Sequence, residues 1–391
     1  MDTLHTVLNR GCSLWDKGRL PKQEFLSRLS RIHEGMRERG VDLLLVYGDS
    51  WRFGHLAFVS HFMPKNRGAL AVIPLEGEPV LVVQEPSRNN PFSKTLTWID
   101  EVHSVAKFAP GLSATLEARS LQPRKVGLVT VKEQLNIREW GELAKLLQGA
   151  ELCDCNDLLI SLRLTKSAAE LELLKQSSRI LRDGLKVFAQ EARPRLKEYE
   201  IFAALDREAR RQGAEDFRFL LARSSAPEIG LRPAGGAALE KNEGILVLVA
   251  ASYQRYWAEL GRTFCLGQPS QRLVKTYDLA NRIFGQLVER TKTGVSSAAA
   301  ADFLGEVPSL AARDSLEAYG VGNGVGLDLT EEPYLGKDGR GEIKPGMTLT
   351  LRVCFAAKET GSALISQPYL VTRSGLEPLL GHKENLVLIE A

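Results

Sequence analysis

No histidine occurs between His103 and His382 of this 391-residue chain, so no imidazole along that stretch is available to bind metal or move protons near neutral pH. Long apolar runs are missing too. The longest is ILVLVAA, residues 245–251, against the roughly 20 residues that a membrane span requires. The opening MDTLHTVLNRGCSLWDKGRL interleaves charges with apolar residues and has no signal-type apolar segment; a soluble, cytoplasmic protein with no membrane partner is expected. Neither sign of charge dominates, since 51 basic and 48 acidic residues leave a formal +3. With no long run of like charge, the electrostatic footprint of a nucleic-acid binder is absent. Cysteine is sparse and odd in number: Cys12, Cys153, Cys155, Cys265 and Cys354 fit reduced thiols better than a disulfide framework. The C-x-C in LCDCND lacks the two further ligands of a zinc site, so a packing or surface role is expected for it. Low-complexity segments and short tandem repeats are also absent.

What the chain does contain is enough apolar residue, 44%, to fill two cores, and its length exceeds a single one. Phe25, Leu29, Ile32 and Met36 recur at helical spacing, Gly40 closes that helix, and VDLLLVYGD follows as a buried strand. GALAVIP, EPVLVVQE and KVGLVTV repeat short apolar runs between turn signals, with NIREWGELAKLLQG as another helix. Residues 1–160 therefore read as an α/β domain with a mixed sheet. Beyond them Leu171, Leu174, Leu181, Leu185 and Phe188 share one helical face, and LKEYEIFAALDREARRQG supplies a second helix ended by Gly213. Strands dominate from Phe217, interrupted by a helix near residues 271–290. Residues 161–391 read as an α+β domain with a curved, mainly antiparallel sheet.

The stretch GVGNGVGLDLTEEP, residues 320–333, puts four glycines into seven positions around Asn323. Glycines at that density let a strand approach another chain or a ligand closely. Together with Y-x-x-Y-x-x-E-x-x-R-T-F ending at Phe264, G-x-G-x-G-L ending at Leu327 and K-P-G-M-T-L-T-L ending at Leu351, the order of segments resembles the creatinase, prolidase and aminopeptidase P family. The motifs span roughly residues 165–380. The resemblance implies the pita-bread fold for the second domain and that family's usual N-terminal domain for the first.

The metal-dependent members of that family hold two divalent ions on two Asp, one His and two Glu. Carried over, those positions fall on Leu248, Glu259, Asn323, Arg352 and Ser366. One acidic ligand of five remains, so the resemblance implies neither metal nor cofactor here. The family's substrate-side His, expected near Leu231 or Arg232, is missing, and Thr330 stands where a second His would precede Glu331. Dinuclear peptidase chemistry is disposed of, and the metal-free creatinase reading is weakened because its His is Asn323.

For the rebuilt site, Glu259 is the candidate acid or base, with Arg352 and Asn323 as catalytic polarising and orienting groups. Asn323 either orients a ligand carbonyl or amide or satisfies local polar groups. Arg352 either substitutes for the metal charge toward a substrate anion or forms a buried ion pair with Glu259. Tyr253, Tyr256 and Trp257 either desolvate that carboxylate and line the pocket or belong to the sheet core. Arg262, Glu331, Cys354 and Ser366 complete the candidate ligand-binding set, Cys354 as a conceivable nucleophile or as inert packing. In the first domain Trp51, Arg52, His55 and His61 lie in a loop-rich stretch. The resemblance implies a homodimer whose N-terminal domain lies near the partner's pocket, so His55 and His61 each either supply an imidazole in trans or are surface or packed histidines. Three functions stand as alternatives: a metal-free hydrolase or lyase of a carbon–nitrogen bond in a small carboxylate or guanidino-type molecule, a non-catalytic pseudo-peptidase binding a ligand or a protein, and an active Xaa-Pro metallopeptidase whose ligands lie at positions other than these five.

Overall fold

Phe25, Leu29, Ile32 and Met36 are buried along one face of the helix Lys22–Arg39, which Gly40 ends in the left-handed region at φ 63°. A computed structural model describes residues 14–65, 67–307, 309–381 and 386–390; Cys12, His5 and His382 lie outside them. The chain divides into two compact units, one ending at Arg163 and the other beginning at Leu164, within the helix Asn156–Leu164.

The first unit is built on six strands: β1 Leu43–Asp49, β2 Gly68–Pro74, β3 Val80–Gln84, β4 Glu101–Val105, β5 Lys125–Val129 and β6 Glu151–Asp154. Their order is β4-β3-β2-β1-β5-β6. Two neighbouring pairs, β1·β2 and β2·β3, are antiparallel, whereas β1·β5, β3·β4 and β5·β6 are parallel, which makes the sheet mixed. Leu43, Leu45, Val72, Val82 and Leu128 pack beneath Phe108, Leu112 and Leu143.

The second unit opens with the helix Ala168–Glu191, started by a capping box between Ser167 and Glu170, and the helix Glu198–Arg211. Its strands are β7 Asp216–Arg223, β8 Glu243–Tyr253, β9 Tyr256–Leu266, β10 Gly322–Gly324, β11 Glu331–Tyr334, β12 Thr348–Ala357, β13 Gly361–Thr372, β14 Gly375–Pro378 and β15 Val387–Ile389. The curved sheet runs β11-β10-β12-β13-β9-β8-β7, with β14 beside β13 and β15 beside β9. Every pairing in it is antiparallel except β15·β9. Strands β8 and β9 turn on Gln254 and Arg255 at φ 48° and 71°, a two-residue hairpin of the kind that needs positive φ twice. Arg255 tolerates it because Glu215, equally buried, accepts from its backbone N–H and its guanidinium at 2.7 Å each.

Strand alternation gives this sheet two chemically different faces. Val247, Val249, Ala251, Ala258, Leu260 and Phe264 pack on Leu181, Phe188 and Ile201 of the first two helices. Leu349, Leu351, Val353, Phe355 and Ile365 pack on Ile283, Phe284 and Leu287 of the helix Gln271–Arg290. The intervening residues fall on the opposite face, where the register aligns Leu248 with Gly261, Gly261 with Ser366 and Ser366 with Arg352. Glycine at 261 is required there, since a Cβ would come within 2.9 Å of Ser366 Cβ and 3.0 Å of Leu364 Cγ. Among the described residues, no helix is long and apolar enough to cross a membrane.

Candidate functional site

The row Leu248–Gly261–Ser366–Arg352 crosses four adjacent strands, and Glu259, two residues before Gly261, shares its face. Arg352 reaches across β13 to that carboxylate. Its Nε donates to Glu259 Oε1 at 2.8 Å, and its Nη2 donates to Oε1 at 2.6 Å and Oε2 at 2.8 Å. Ser366 Oγ adds a bond to Oε1 at 2.7 Å, and Arg352 Nη1 donates to the Tyr319 carbonyl at 2.9 Å. The pair is 12% and 7% exposed at its side chains. Charge-assisted bonds in this fork geometry are strong and directional, so both partners spend their polar atoms on each other and on neighbouring protein.

Asn323 lies on the same face, opposite Thr350, two residues along the strand from Arg352. Its Nδ2 donates to the Gly324 carbonyl at 2.8 Å and the Leu329 carbonyl at 3.3 Å; the amide pins the turn that follows β10. The glycines around it serve the chain's own packing. A Cβ at Gly324 would lie 2.1 Å from the Glu332 carbonyl oxygen, and one at Gly322 would lie 2.9 Å from that of Thr350.

Other candidates are dispersed by the same alternation. Trp257 stands on the Glu259 face with Ala250 and Val325, and the Arg218 guanidinium lies over its ring, 4.5 Å from the centroid. Tyr253 and Tyr256 are on the opposite, helix-covered face: Tyr253 packs on that core, and Tyr256 donates its hydroxyl to Glu170 at 2.9 Å. They face each other across the hairpin, each three residues along its strand from the Ala250–Glu259 pair, and that odd offset puts both on the other face. Arg262 also points away, donating to the Gly261 and Ser366 carbonyls at 2.8 and 3.0 Å and to Gln367 Oε1 at 2.7 Å. Glu331 accepts from Lys166 Nζ at 2.6 Å in a nearly buried pair. Cys354, fully buried beside Leu246 and Leu364, has its thiol pushed up to about 12, mainly by burial and further by Glu259, with Arg352 opposing. A thiol so rarely ionised at neutral pH is poor as a nucleophile.

In the first unit, the backbone N–H groups of Trp51 and Arg52 both donate to Asp49 Oδ1 at 2.7 Å, leaving the Trp51 ring 68% exposed. Arg163 Nη1 donates to His55 Nδ1 at 3.1 Å. Burial first, and then the Arg163 charge, hold His55 well below the usual imidazole range, so it is neutral at pH 7. His61 is fully buried at the end of the helix Gly54–Ser60, its ring centroid 5.6 Å from that of Phe25, and it does not reach the surface of its unit.

Two residues that complete the site went unnoticed in the sequence. Tyr319 supplies the carbonyl that holds Arg352 in place, and Lys166 neutralises Glu331. A backbone carbonyl carries no side-chain signal, and Lys166 pairs across 165 positions. The isolated lysine in LRLTKSAAE was the one available hint. Among the described residues, no three His, Cys, Asp or Glu side chains converge so as to hold a metal ion.

The sequence profile of metallopeptidase family M24 matches residues 172–373. The chain is 24% identical over 261 residues to the uncharacterized peptidase YqhT of Bacillus subtilis, covering 64% of this chain and 71% of that protein. It is 21% identical over 300 residues to the Xaa-Pro dipeptidase of Pyrococcus furiosus, covering 74% and 78%. The X-Pro aminopeptidase of Thermotoga maritima superposes with a TM-score of 0.80 at 19% identity, covering 93% of this chain and 99% of that one.

Proposed function

The chain belongs to metallopeptidase family M24, and from that premise we propose that it is a non-hydrolytic member, a metal-free pseudo-peptidase whose second unit serves as a binding module. The observation that carries this reading is the closed pair of Arg352 and Glu259, with three N–H···O bonds between 2.6 and 2.8 Å. Divalent cations in such sites need several oxygen or nitrogen donors. Of the positions that the resemblance assigns to ligands, Leu248 has no donor atom, Ser366 gives its hydroxyl proton to Glu259, and Arg352 brings a fixed positive charge. This donor set does not fit two divalent ions.

A metal-free, creatinase-type reaction would draw its acid or base from Glu259 and its orienting groups from Asn323 and Arg352. A general base must reach the proton that it abstracts, whereas the Glu259 oxygens are bonded to Arg352 and Ser366 and the Asn323 amide is bonded to backbone carbonyls. Binding without turnover therefore accounts best for the arrangement. The part of that face left partly accessible is largely apolar, made of Leu231, Leu248, Tyr319 and Ala356 over the buried Leu246, Cys354 and Leu364, and a small ligand or a protein segment with an apolar group matches that chemistry.

The test is direct. Purified protein incubated with Xaa-Pro dipeptides and with guanidino acids, each with and without Mn(II) or Co(II), is expected to release no product above buffer. Turnover that disappears in Glu259→Gln would overturn the proposal. The same reading has the protein act in the cytoplasm as a homodimer, a view supported by the exposed Trp51 ring. Light scattering at micromolar concentration should return twice the chain mass; the mass of a single chain removes the dimer from the account.

A further inference from the structure

The sulfurs of Cys153 and Cys155 lie 3.9 Å apart at the end of β6, in the unit that holds none of the Glu259 site. Three features make this pair more than filler. First, β6 has four residues and, among the described strands, pairs only with β5, so its other side is an open sheet edge. Secondly, Cys153 stands opposite Gly127, and a Cβ at Gly127 would meet Cys155 Sγ at 2.7 Å and Leu44 Cδ1 at 2.8 Å; the missing side chain is what gives the second sulfur its room. Thirdly, the two thiols differ in access: Cys153 is half-buried, and Cys155 is buried. With no third ligand among the described residues, the pair lacks the donors of a closed zinc site.

We infer that Cys153 and Cys155 form a reversible dithiol–disulfide site addressed by low-molecular-weight disulfides such as oxidised glutathione. In the first step the Cys153 thiol loses its proton and its sulfur attacks one sulfur of the small disulfide. That S–S bond breaks, a mixed disulfide forms, and the departing thiolate takes up the proton. In the second step Cys155 Sγ attacks the Cys153 sulfur, releasing a second small thiol that carries away the Cys155 proton. The protein is oxidised by two electrons and the small disulfide is reduced to two thiols. Burial, followed by the neighbouring Cys153, pushes the Cys155 thiol up to about 12, so the first attack falls to Cys153, and the second step is slow and depends on the contact between the two sulfurs. Closing the sulfurs to bonding distance requires a movement of roughly 2 Å.

The test uses the full chain carrying Cys12→Ser, treated with oxidised glutathione and read by intact mass and peptide mapping. The expected parent product has lost two hydrogens, carries no glutathione, and maps to a Cys153–Cys155 link reversed by dithiothreitol. Adding Cys155→Ser should trap glutathione on Cys153, and adding Cys153→Ser should leave Cys155 unmodified. A parent that keeps glutathione unresolved on Cys153, or one that does not react while folded, overturns the inference.

Discussion

Arg352→Ala is expected to destabilise the protein by about 3–5 kcal/mol, the usual cost of stranding one member of a buried ion pair. The reason is specific to Glu259, which would keep Ser366 as a donor and lose the three bonds from the guanidinium. Arg352→Glu should be worse, because it puts a like charge beside the stranded one. The melting transition of the second unit should fall by roughly 10 °C for the alanine change. Joining Arg352→Met to Glu259→Leu should restore most of the loss, since both charges leave together and well-packed apolar replacements of such pairs are often neutral or better. Recovery should stop short of complete, because Ser366 Oγ then loses its acceptor, at about 1–3 kcal/mol. Urea unfolding of the parent, Arg352→Met, Glu259→Leu and the double variant measures the cycle, with Arg352→Ala and Arg352→Glu run beside them. An Arg352→Ala protein as stable as its parent would show that the pair is not coupled as described.

Gly324→Ala carries the second large effect. The added Cβ would sit 2.1 Å from the Glu332 carbonyl oxygen, 2.6 Å from its carbon and 2.8 Å from the Glu331 oxygen. All three are backbone atoms, so no rotamer change relieves the clash and β10 must part from β11. That separation disturbs the two carbonyls on which Asn323 donates. Overpacking of this kind costs about 1–3 kcal/mol and more where backbone is the obstacle, so about 3 kcal/mol is expected. Gly285→Ala is the matched control: it lies within the helix Gln271–Arg290, and its Cβ would meet nothing within 4 Å. A gain of about 0.5–1 kcal/mol follows there from helix propensity. Equal effects from the two substitutions would contradict the close approach of β10 and β11.

Much of this architecture was legible because its signals are local. Apolar spacing announced the helix at Phe25–Met36, and residues 271–290 appear as the helix Gln271–Arg290. The curved antiparallel sheet followed from the strand runs beyond Phe217. What stayed hidden depends on register. Tyr253 and Tyr256 closely precede Glu259 in sequence yet face the helices, because the turn at Gln254–Arg255 sets the parity of both strands. Periodicity reveals that a strand alternates; it does not reveal which face the helices will cover. The partners of Glu331 and Arg352 were hidden for another reason: Lys166 and the Tyr319 carbonyl are brought in by tertiary contact. The glycines around Asn323 read as room for a ligand, and most of that room is taken up by β11 and β12.

The account stands most directly on the metal content of the purified full-length chain after incubation with excess Mn(II), Co(II) or Zn(II) and removal of the free ions. It predicts less than a stoichiometric amount of any of them, with no difference between the parent and Glu259→Gln. One or two ions held per chain and lost on Glu259→Gln would contradict it, placing a metal where the structure has the guanidinium of Arg352.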